Sequence, residues 1–347
     1  MINSLQKNDT ADDKGPYDLQ GIDILGVLSS TQSVVEVGEH VWINEDCVAG
    51  LAQQWLQQNS ADTAVVPSPA YDGYHFFDGT ERTVNWVLVL DAMNFCFWSE
   101  KDQPRWHIEY KGELLNGYLA EAAALRRAVE EDIPIWDARY LSTISDEALA
   151  AIFRSEQTIP LFEQRLKNIR QVGRVLLEQY DGQFTNAIEQ ADGSAVKLAL
   201  LLAKYFPSFN DVALYRTRKV RFLKRAQICV ADLQNSFRGQ SWGAFPDIDQ
   251  LTVFADYKLP QVLRQYGILE YHPSLAQRID NQEIIEAGSE EEVELRAATV
   301  WAGELLRRAM TNEGYSFTAA QIDLRLWSLG QHSTDMKPYH RTRTIFY

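Results

Sequence analysis

The spacing of apolar residues predicts that most of the chain is helical. Segments with apolar side chains three and four residues apart recur along the chain, as in helices with one buried face. Asn44 can cap a first helix that reaches residue 58, and Ser145 and Pro207 mark a start and an end further on. The later predicted helices cover 119–131, 146–154, 161–180, 195–205, 220–235, 259–266, 290–310 and 318–329.

Two segments before residue 119 have β character. Residues 85–98 (NWVLVLDAMNFCFW) are aromatic and β-branched without a polar face, which predicts a buried strand. Residues 106–110 alternate apolar and polar side chains and meet Lys111-Gly112 before 114–118, which predicts a hairpin. The pattern therefore predicts a mainly α fold, a compact helical body with a small β element confined to the N-terminal third.

The domain organisation follows from the same pattern. Residues 1–17 are too polar to bury a core and are predicted to form a disordered tail. No repeat or low-complexity linker interrupts the rest, so 18–347 is predicted to be a single domain. Two lobes, about 18–140 and 141–347 with a cleft between them, are the alternative arrangement.

Composition and charge narrow the function. The 347 residues are 46% hydrophobic and carry a net charge of −15, which excludes a disordered chain and disfavours stable binding to nucleic acid or an anionic membrane. The sequence contains no run of eighteen apolar residues and therefore predicts no membrane span. The three cysteines form no CxxC pair, which argues against structural zinc and disulfides. We expect a cytoplasmic protein.

Several familiar catalytic signatures do not occur in the sequence. It contains no GxGxxG after a strand, no Walker sequence, no GxSxG and no HExxH, and its six histidines are scattered without metal-ligand spacing. We therefore expect neither a cofactor nor a catalytic metal.

Four aspartates occupy unusually apolar segments: Asp91, Asp232, Asp256 and Asp323. A buried carboxylate needs a cation, a capping role or a ligand, and a cap or a salt bridge is the commoner outcome for any one of them. Four together make at least one functional acid expected. Asp256 is the sharpest candidate because it precedes a predicted helix, whose N-terminus would hold it ionised. Asp323 and Trp327 share a helix face, where the indole could bind a flat ligand or only pack in the core.

Basic residues are concentrated in two places despite the acidic balance. One cluster runs from Arg216 to Arg225, and the other is His340-Arg341-Thr342-Arg343. Such groups could bind a small anion such as a phosphate, although solvated surface charge explains the first cluster equally well.

Five segments resemble a known family. They are NFCFWS (94–99), KRAQI (224–228), FADY (254–257), LPQVL (259–263) and YHRTRTIFY (339–347). In this order, and across about 41–347, the chain resembles the queuosine salvage proteins, the queuosine 5′-phosphate N-glycosylases. The resemblance implies a fold similar to helical DNA glycosylases, and hydrolysis of the N-glycosidic bond of queuosine 5′-monophosphate to release the base queuine.

The resemblance also implies roles for individual residues. Asp256 would be the catalytic carboxylate, flanked at the ligand by Phe254 and Tyr257, with His75 as an N-terminal contact and Asp323 as a second ligand-binding acid. Leu324 and Ser328 depart from the family pattern, in which some members have Tyr and Asp. Trp327 would offer a stacking surface, and the expected phosphate ligands are Lys224, Arg341 and Arg343.

Two other functions remain as alternatives at this point. A non-catalytic protein could bind a modified nucleoside or a tRNA, and would not need Asp256 to be ionised. A DNA-repair glycosylase is less well supported, because the net charge of −15 and the lack of a broad basic stripe disfavour DNA. The oligomeric state, and the choice between a covalent intermediate and direct hydrolysis, stay open.

Overall fold

The computed structural model describes residues 15–58, 73–332 and 335–347. The predicted disordered tail, 1–17, falls outside this range except for residues 15–17. The helices are α1 Val27–Val35, α2 Glu45–Gln58, α3 Glu81–Met93, α4 Gly117–Glu130, α5 Ala138–Thr143, α6 Asp146–Ile152, α7 Phe162–Gln179, α8 Thr185–Gln190, α9 Ala195–Tyr205, α10 Lys224–Ser236, α11 Lys258–Gln265, α12 Pro273–Asp280, α13 Glu290–Asn312 and α14 Ala319–His332.

The mainly α prediction is confirmed, and local chemistry explains several of the helix boundaries. Ser145 accepts a hydrogen bond from the backbone N–H of Ala148 at the start of α6, and Ser194 does the same for Lys197 in α9. Asn44 accepts from the N–H of Cys47, so it caps α2 as predicted. None of the helices in the described part of the chain combines the length and hydropathy needed to cross a bilayer.

The strands form three separate antiparallel pairs. They are β1 Val41–Ile43, β2 His107–Tyr110, β3 Glu113–Asn116, β4 Val212–Tyr215, β5 Arg218–Arg221 and β6 Leu269–Tyr271. The hairpin of β2 and β3 is confirmed, with Ile108 opposite Leu115. The confinement of β structure to the N-terminal third is wrong, because β4 pairs with β5 and β1 pairs with β6 from a distant part of the chain.

The strand predicted over 85–98 is wrong. Residues 81–93 form α3, and 94–98 continue as buried irregular backbone. Every residue of α3 from Thr83 to Met93 is buried, so the helix has no polar face that periodicity could detect. A helix that is apolar all round cannot be distinguished from a buried strand by its pattern alone.

The apolar core has two large clusters that meet at α13. One cluster is built around α3, α4, α7, α9 and α10. The other joins α2, α11, α12 and α14. Val293, Ala297 and Val300 of α13 belong to the first cluster, whereas Leu295 and Ala298 belong to the second. This long helix therefore fixes the position of α10 relative to α11 and α14, all three of which contribute residues to the cavity described below.

Candidate active site

A cavity opens between α10 and α14. Its lining includes the start of α4, the segment 94–97, the segment 254–258, and the rings of Tyr339 and Tyr347. The contributing elements come from both apolar clusters and from a third, smaller cluster around Phe95 and Tyr257. The cavity therefore lies where separate parts of the core meet, an arrangement common for small-molecule sites.

Two helices each present one face to this cavity. From α10 the lining residues are Lys224, Ile228, Ala231, Asp232 and Asn235. From α14 they are Ala320, Asp323, Leu324, Trp327 and Gln331. Both sets follow the three- and four-residue spacing of a single helix face. The cavity thus places polar side chains where an ordinary helix would present an apolar face to the core.

The segment that carries Phe254, Asp256 and Tyr257 has no regular structure but is anchored at three points. The N–H of Thr252 donates to Gln227 Oε1 at 2.8 Å, and the N–H of Phe254 donates to Asp323 Oδ1 at 2.7 Å. The carbonyl oxygen of Ala255 accepts from Arg296 Nε at 3.2 Å. These contacts fix the approach of the chain to α11.

Asp256 lies at the mouth of α11, as the sequence predicts. Its Oδ1 accepts hydrogen bonds from the backbone N–H groups of Lys258 and Leu259, at 2.7 and 2.9 Å. The helix N-terminus favours a negative charge there. Among the described residues, no side chain or N–H donates to Oδ2, and no arginine pairs with this carboxylate. Asp256 lines the cavity, so it can offer one oxygen to a ligand.

Lys224 is the buried cation beside this carboxylate. It is 4% exposed, at the first position of α10. Burial lowers the pKa of its ammonium below the usual value, while the charges of Asp256, Asp91 and Asp323 act in the opposite direction. Lys224 therefore lies among three of the four aspartates that the sequence analysis singled out.

Burial and the charges of neighbouring aspartates raise the pKa of two further acids, Asp323 and Asp91. Burial, followed by the charge of Asp256, raises the pKa of Asp323 well above its ordinary value, despite the hydrogen bond from Phe254. Burial and the neighbouring Asp232 raise the pKa of Asp91 in the same way. Tyr118 donates its hydroxyl to Asp232 Oδ2 at 3.1 Å. The site thus combines a helix-capping carboxylate at Asp256 with an acid, Asp323, that favours its protonated form.

Aromatic rings form much of the remaining wall. Tyr257 and Tyr339 pack with their centroids 4.9 Å apart, and Trp327 meets Tyr118 edge to face at 6.3 Å. Phe254 lies between Asp323, which holds its N–H, and the capping Asp256. Such walls suit a flat ring system.

Six of the nine residues expected at the site line the cavity together: Lys224, Phe254, Asp256, Tyr257, Asp323 and Trp327. His75, Arg341 and Arg343 do not belong to its lining. His75 is buried, with Nε2 at 2.6 Å from the hydroxyl of Tyr118, which does line the cavity. Burial lowers the pKa of His75 to about 3, so its imidazole is neutral.

The two C-terminal arginines are engaged elsewhere. Arg341 donates to Gln282 Oε1 at 2.5 Å, and Arg343 pairs with Glu100. Both guanidinium groups also lie over the ring of Trp98, at 5.6 and 5.0 Å. Their contacts therefore explain their positions without a ligand.

Other cavity residues were missed by sequence reasoning. The basic ones are Arg105 and Lys258, and the polar ones include Asn94, Tyr118, Asn235 and Gln331. Asn235 could have been found, because it continues the helix face of Lys224, Ile228 and Asp232. Arg105 lies in a loop between β2 and the segment 94–97, where no pattern points to the cavity.

One group of potential metal ligands occurs in the described residues, at a distance from these lining residues. His40, Glu290 and Glu294 bring one ligand atom each within 4.8 Å of one another. Glu294 already accepts hydrogen bonds from Tyr215 and from the backbone N–H of His40. The group does not contribute to the cavity.

The chain is similar to known proteins over most of its length. A family model described as queuosine salvage protein matches residues 74–347. A protein of Sphaerobacter thermophilus is 49% identical over 326 residues, covering 94% of this chain and 98% of the relative. A Bos taurus protein is 38% identical over 343 residues, covering 93% and 99%. The chain belongs to the queuosine salvage protein family.

Three relatives of this chain share a name that states an activity. The Sphaerobacter thermophilus and Bos taurus proteins are both called queuosine 5′-phosphate N-glycosylase/hydrolase. So is a Schizosaccharomyces pombe protein that is 35% identical over 289 residues, 76% of this chain and 83% of that relative. The family match includes every residue that lines the cavity, from Asn94 to Tyr347.

Proposed function

We propose that this chain is an N-glycosylase that hydrolyses queuosine 5′-phosphate to queuine and ribose 5-phosphate. The observation that carries the proposal is Asp256, whose Oδ1 is held by the N-terminus of α11 while its side chain lines an aromatic cavity beside Lys224. Family membership and the name shared by the relatives support the same substrate. The protein is expected to bind this small-molecule substrate in the cytoplasm.

Asp256 would act on the sugar. As the bond between C1′ and N9 breaks, its electron pair goes to the base and positive charge develops at C1′. A carboxylate near C1′ stabilises this charge, or adds to C1′ to form an ester that water then hydrolyses. In both routes, water supplies the hydroxyl of the ribose product and the proton of the released base. The positive charge of Lys224 would interact with this carboxylate.

Asp323 would act on the base. Queuine is a 7-deazaguanine, so the departing base cannot be protonated at N7 and must be stabilised through O6, N3 or the N1 edge. The raised pKa of Asp323 favours the protonated carboxyl group, which can donate a hydrogen bond to the base. Asp323 could also pair with the secondary ammonium of the substrate arm, and the bound cation would then lower that pKa. Phe254 and Trp327 would stack on the ring.

The phosphate would bind at the basic end of the cavity. Arg105 and Lys258 both line the cavity. Burial lowers the pKa of Lys258, the charge of Asp256 acts in the opposite direction, and the charge of Arg105 lowers this pKa further. The ammonium of Lys258 lies 5.1 Å from the ring centroid of Tyr339. We therefore propose Arg105 and Lys258 as phosphate ligands in place of Arg341 and Arg343. Lys224 would serve the reacting centre.

The test is direct incubation of the purified protein with queuosine 5′-phosphate, with detection of free queuine and ribose 5-phosphate by mass spectrometry. Stoichiometric release of both products, repeated over many turnovers, is the expected result. Binding of the nucleotide without any release would contradict hydrolysis and would leave a binding protein instead.

A further inference from the structure

A buried ion pair outside the cavity lining holds the backbone next to two charged residues of the cavity, Asp256 and Lys224. Asp211 and Arg296 are each 2% exposed. Arg296 Nη1 and Nη2 donate to the two carboxylate oxygens of Asp211 at 2.9 and 2.5 Å, the bidentate geometry that fixes a guanidinium most strongly. Neither residue is among those that line the cavity.

On one side, this pair holds the chain that leads to Asp256. The third nitrogen of Arg296, Nε, donates to the carbonyl oxygen of Ala255 at 3.2 Å. Ala255 immediately precedes Asp256, whose own side chain then caps α11. The peptide on the N-terminal side of Asp256 is thus fixed by Arg296, and the side chain by the helix.

On the other side, the pair holds the start of α10. The carboxylate of Asp211 accepts the backbone N–H of Lys224 at 3.2 Å, and its carbonyl oxygen accepts the N–H groups of Phe222 and Leu223 at 3.0 and 3.2 Å. Leu223 has a left-handed backbone with φ of 52°. Three consecutive N–H groups bonded to one residue therefore determine the direction in which Lys224 enters the cavity.

The surroundings of Arg296 hold it in this position. Its guanidinium lies 3.9 Å from the ring centroid of Phe222 and 4.4 Å from that of Tyr347. Tyr347 donates its hydroxyl to Glu292, and Glu292 lies 3.7 Å from Arg296. Every partner is buried, so neither solvent nor salt competes with these contacts.

We propose that Asp211 and Arg296 are positioning residues for catalysis, which hold the Asp256 carboxylate and the Lys224 ammonium at a fixed separation. This inference rests on the proposed function. Stabilisation of the developing cation requires the carboxylate to be placed with a precision of a fraction of an ångström. A loosened ion pair would therefore slow the chemical step more than it weakens substrate binding.

The experiment compares Asp211→Asn with a matched control on the same long helix. Glu304→Gln removes an acid that accepts hydrogen bonds from Arg307 and Arg308, away from the cavity lining. For each variant, circular dichroism gives the folded fraction at 20 °C, and turnover of queuosine 5′-phosphate gives kcat per folded molecule and KM.

We expect Asp211→Asn to lower kcat per folded molecule by about 10- to 100-fold with KM changed less than threefold. Glu304→Gln should keep the wild-type kcat, whatever its loss of thermal stability. Equal kcat values for Asp211→Asn and Glu304→Gln would overturn the inference, because a purely structural ion pair lowers stability and not turnover per folded molecule. Absence of queuine release by the wild-type protein would instead overturn the proposed function.

A second variant covers the case in which Asp211→Asn does not fold. Arg296→Lys keeps the positive charge but cannot bond both oxygens of Asp211 and the carbonyl of Ala255 together. We expect it to fold and to lose about tenfold in kcat, an intermediate effect. A wild-type kcat for Arg296→Lys would show that this geometry is not needed.

Discussion

At the scale of single residues, the cavity is governed by how buried charges are balanced. Burial lowers the pKa of Lys224, and the charges of Asp256, Asp91 and Asp323 oppose that shift. Asp323 shows the reverse case, because burial and a like charge keep its proton on. A pair of acids whose environments push their pKa values apart can divide the work of catalysis between them.

His340 gives a prediction about stability at acidic pH. It is buried beside the hydroxyl of Tyr347 at 3.2 Å, and burial lowers its pKa to about 3. Between pH 6.5 and about 3, the unfolded chain takes up a proton here that the folded protein does not, so the free energy of unfolding falls as pH falls. His340→Gln should flatten this dependence by up to about 1.4 kcal/mol per pH unit.

Urea unfolding of wild type and His340→Gln at pH 7, 6, 5 and 4 measures the difference. The two curves of unfolding free energy against pH should converge towards acid. Curves that stay parallel over this range would show that His340 titrates alike in the folded and unfolded protein.

The sequence identified the four aspartates singly, through their apolar neighbours, but it could not show that three of them surround one lysine. The charges of Asp91 and Asp256 both act on Lys224, although the two residues are 165 positions apart in the chain. The basic residues at the cavity were harder to predict. Arg341 and Arg343 stand out as a cluster in sequence, whereas Arg105 and Lys258 are isolated there and meet only in three dimensions. Proximity of this kind is a property of the fold.

At the scale of elements, the close approach of α5 and α7 depends on one glycine. A Cβ atom at Gly173 would lie 2.3 Å from the backbone nitrogen of Ser142 and 2.7 Å from the carbonyl oxygen of Ala138. Backbone atoms cannot move aside as a flexible side chain can. Gly173→Ala should therefore destabilise the protein by about 3 kcal/mol, the upper end of overpacking effects.

Gly50→Ala on α2 is the matched control, because nothing lies within 4 Å of a Cβ there. This variant should be more stable than wild type by about 0.5–1 kcal/mol, since alanine favours a helix. Denaturant unfolding compares both variants. Wild-type stability for Gly173→Ala would mean that α5 and α7 are not packed as closely as described.

Elements also show where prediction from the sequence succeeds. Helices with a clear N-terminal cap, such as α6 and α9, were predicted nearly to the residue. The prediction failed at α3, which is buried on all sides, and at β1 and β6, which pair across more than 200 positions. In both cases, tertiary burial and long-range pairing determine the structure, and neither leaves a local pattern.

At the scale of the whole molecule, the cavity has basic and acidic side chains in different parts of its lining. Arg105 and Lys258 lie towards Tyr339, whereas Asp232, Asp323 and Trp327 come from the faces of α10 and α14. A substrate with an anionic phosphate and a cationic arm matches this arrangement in one orientation. The acidic net charge of −15 is therefore compatible with a local site for one phosphate.

Lys258→Met tests this polarity. The variant keeps the backbone N–H that donates to Asp256 Oδ1 and removes only the ammonium. We expect kcat/KM for queuosine 5′-phosphate to fall about 10- to 100-fold, the worth of a charge-assisted hydrogen bond, with less than a threefold change for unphosphorylated queuosine.

Arg343→Met provides the control, because Arg343 pairs with Glu100 and does not line the cavity. It should behave as wild type with both substrates. If Arg343→Met alone shows the loss specific to the nucleotide, the phosphate binds at the C-terminal arginines and this assignment of the basic end is wrong.

The carboxylate of Asp256 is expected to stabilise charge at the anomeric carbon, and Asp256→Asn isolates this effect. The amide oxygen can still cap α11, so only the charge is lost. Calorimetry should give a Kd for queuosine 5′-phosphate within about threefold of wild type, while single-turnover release of queuine falls by about 1,000-fold or more. Asp249→Asn, at an exposed acid, should release queuine at the wild-type rate. Release by Asp256→Asn within tenfold of wild type would contradict the account.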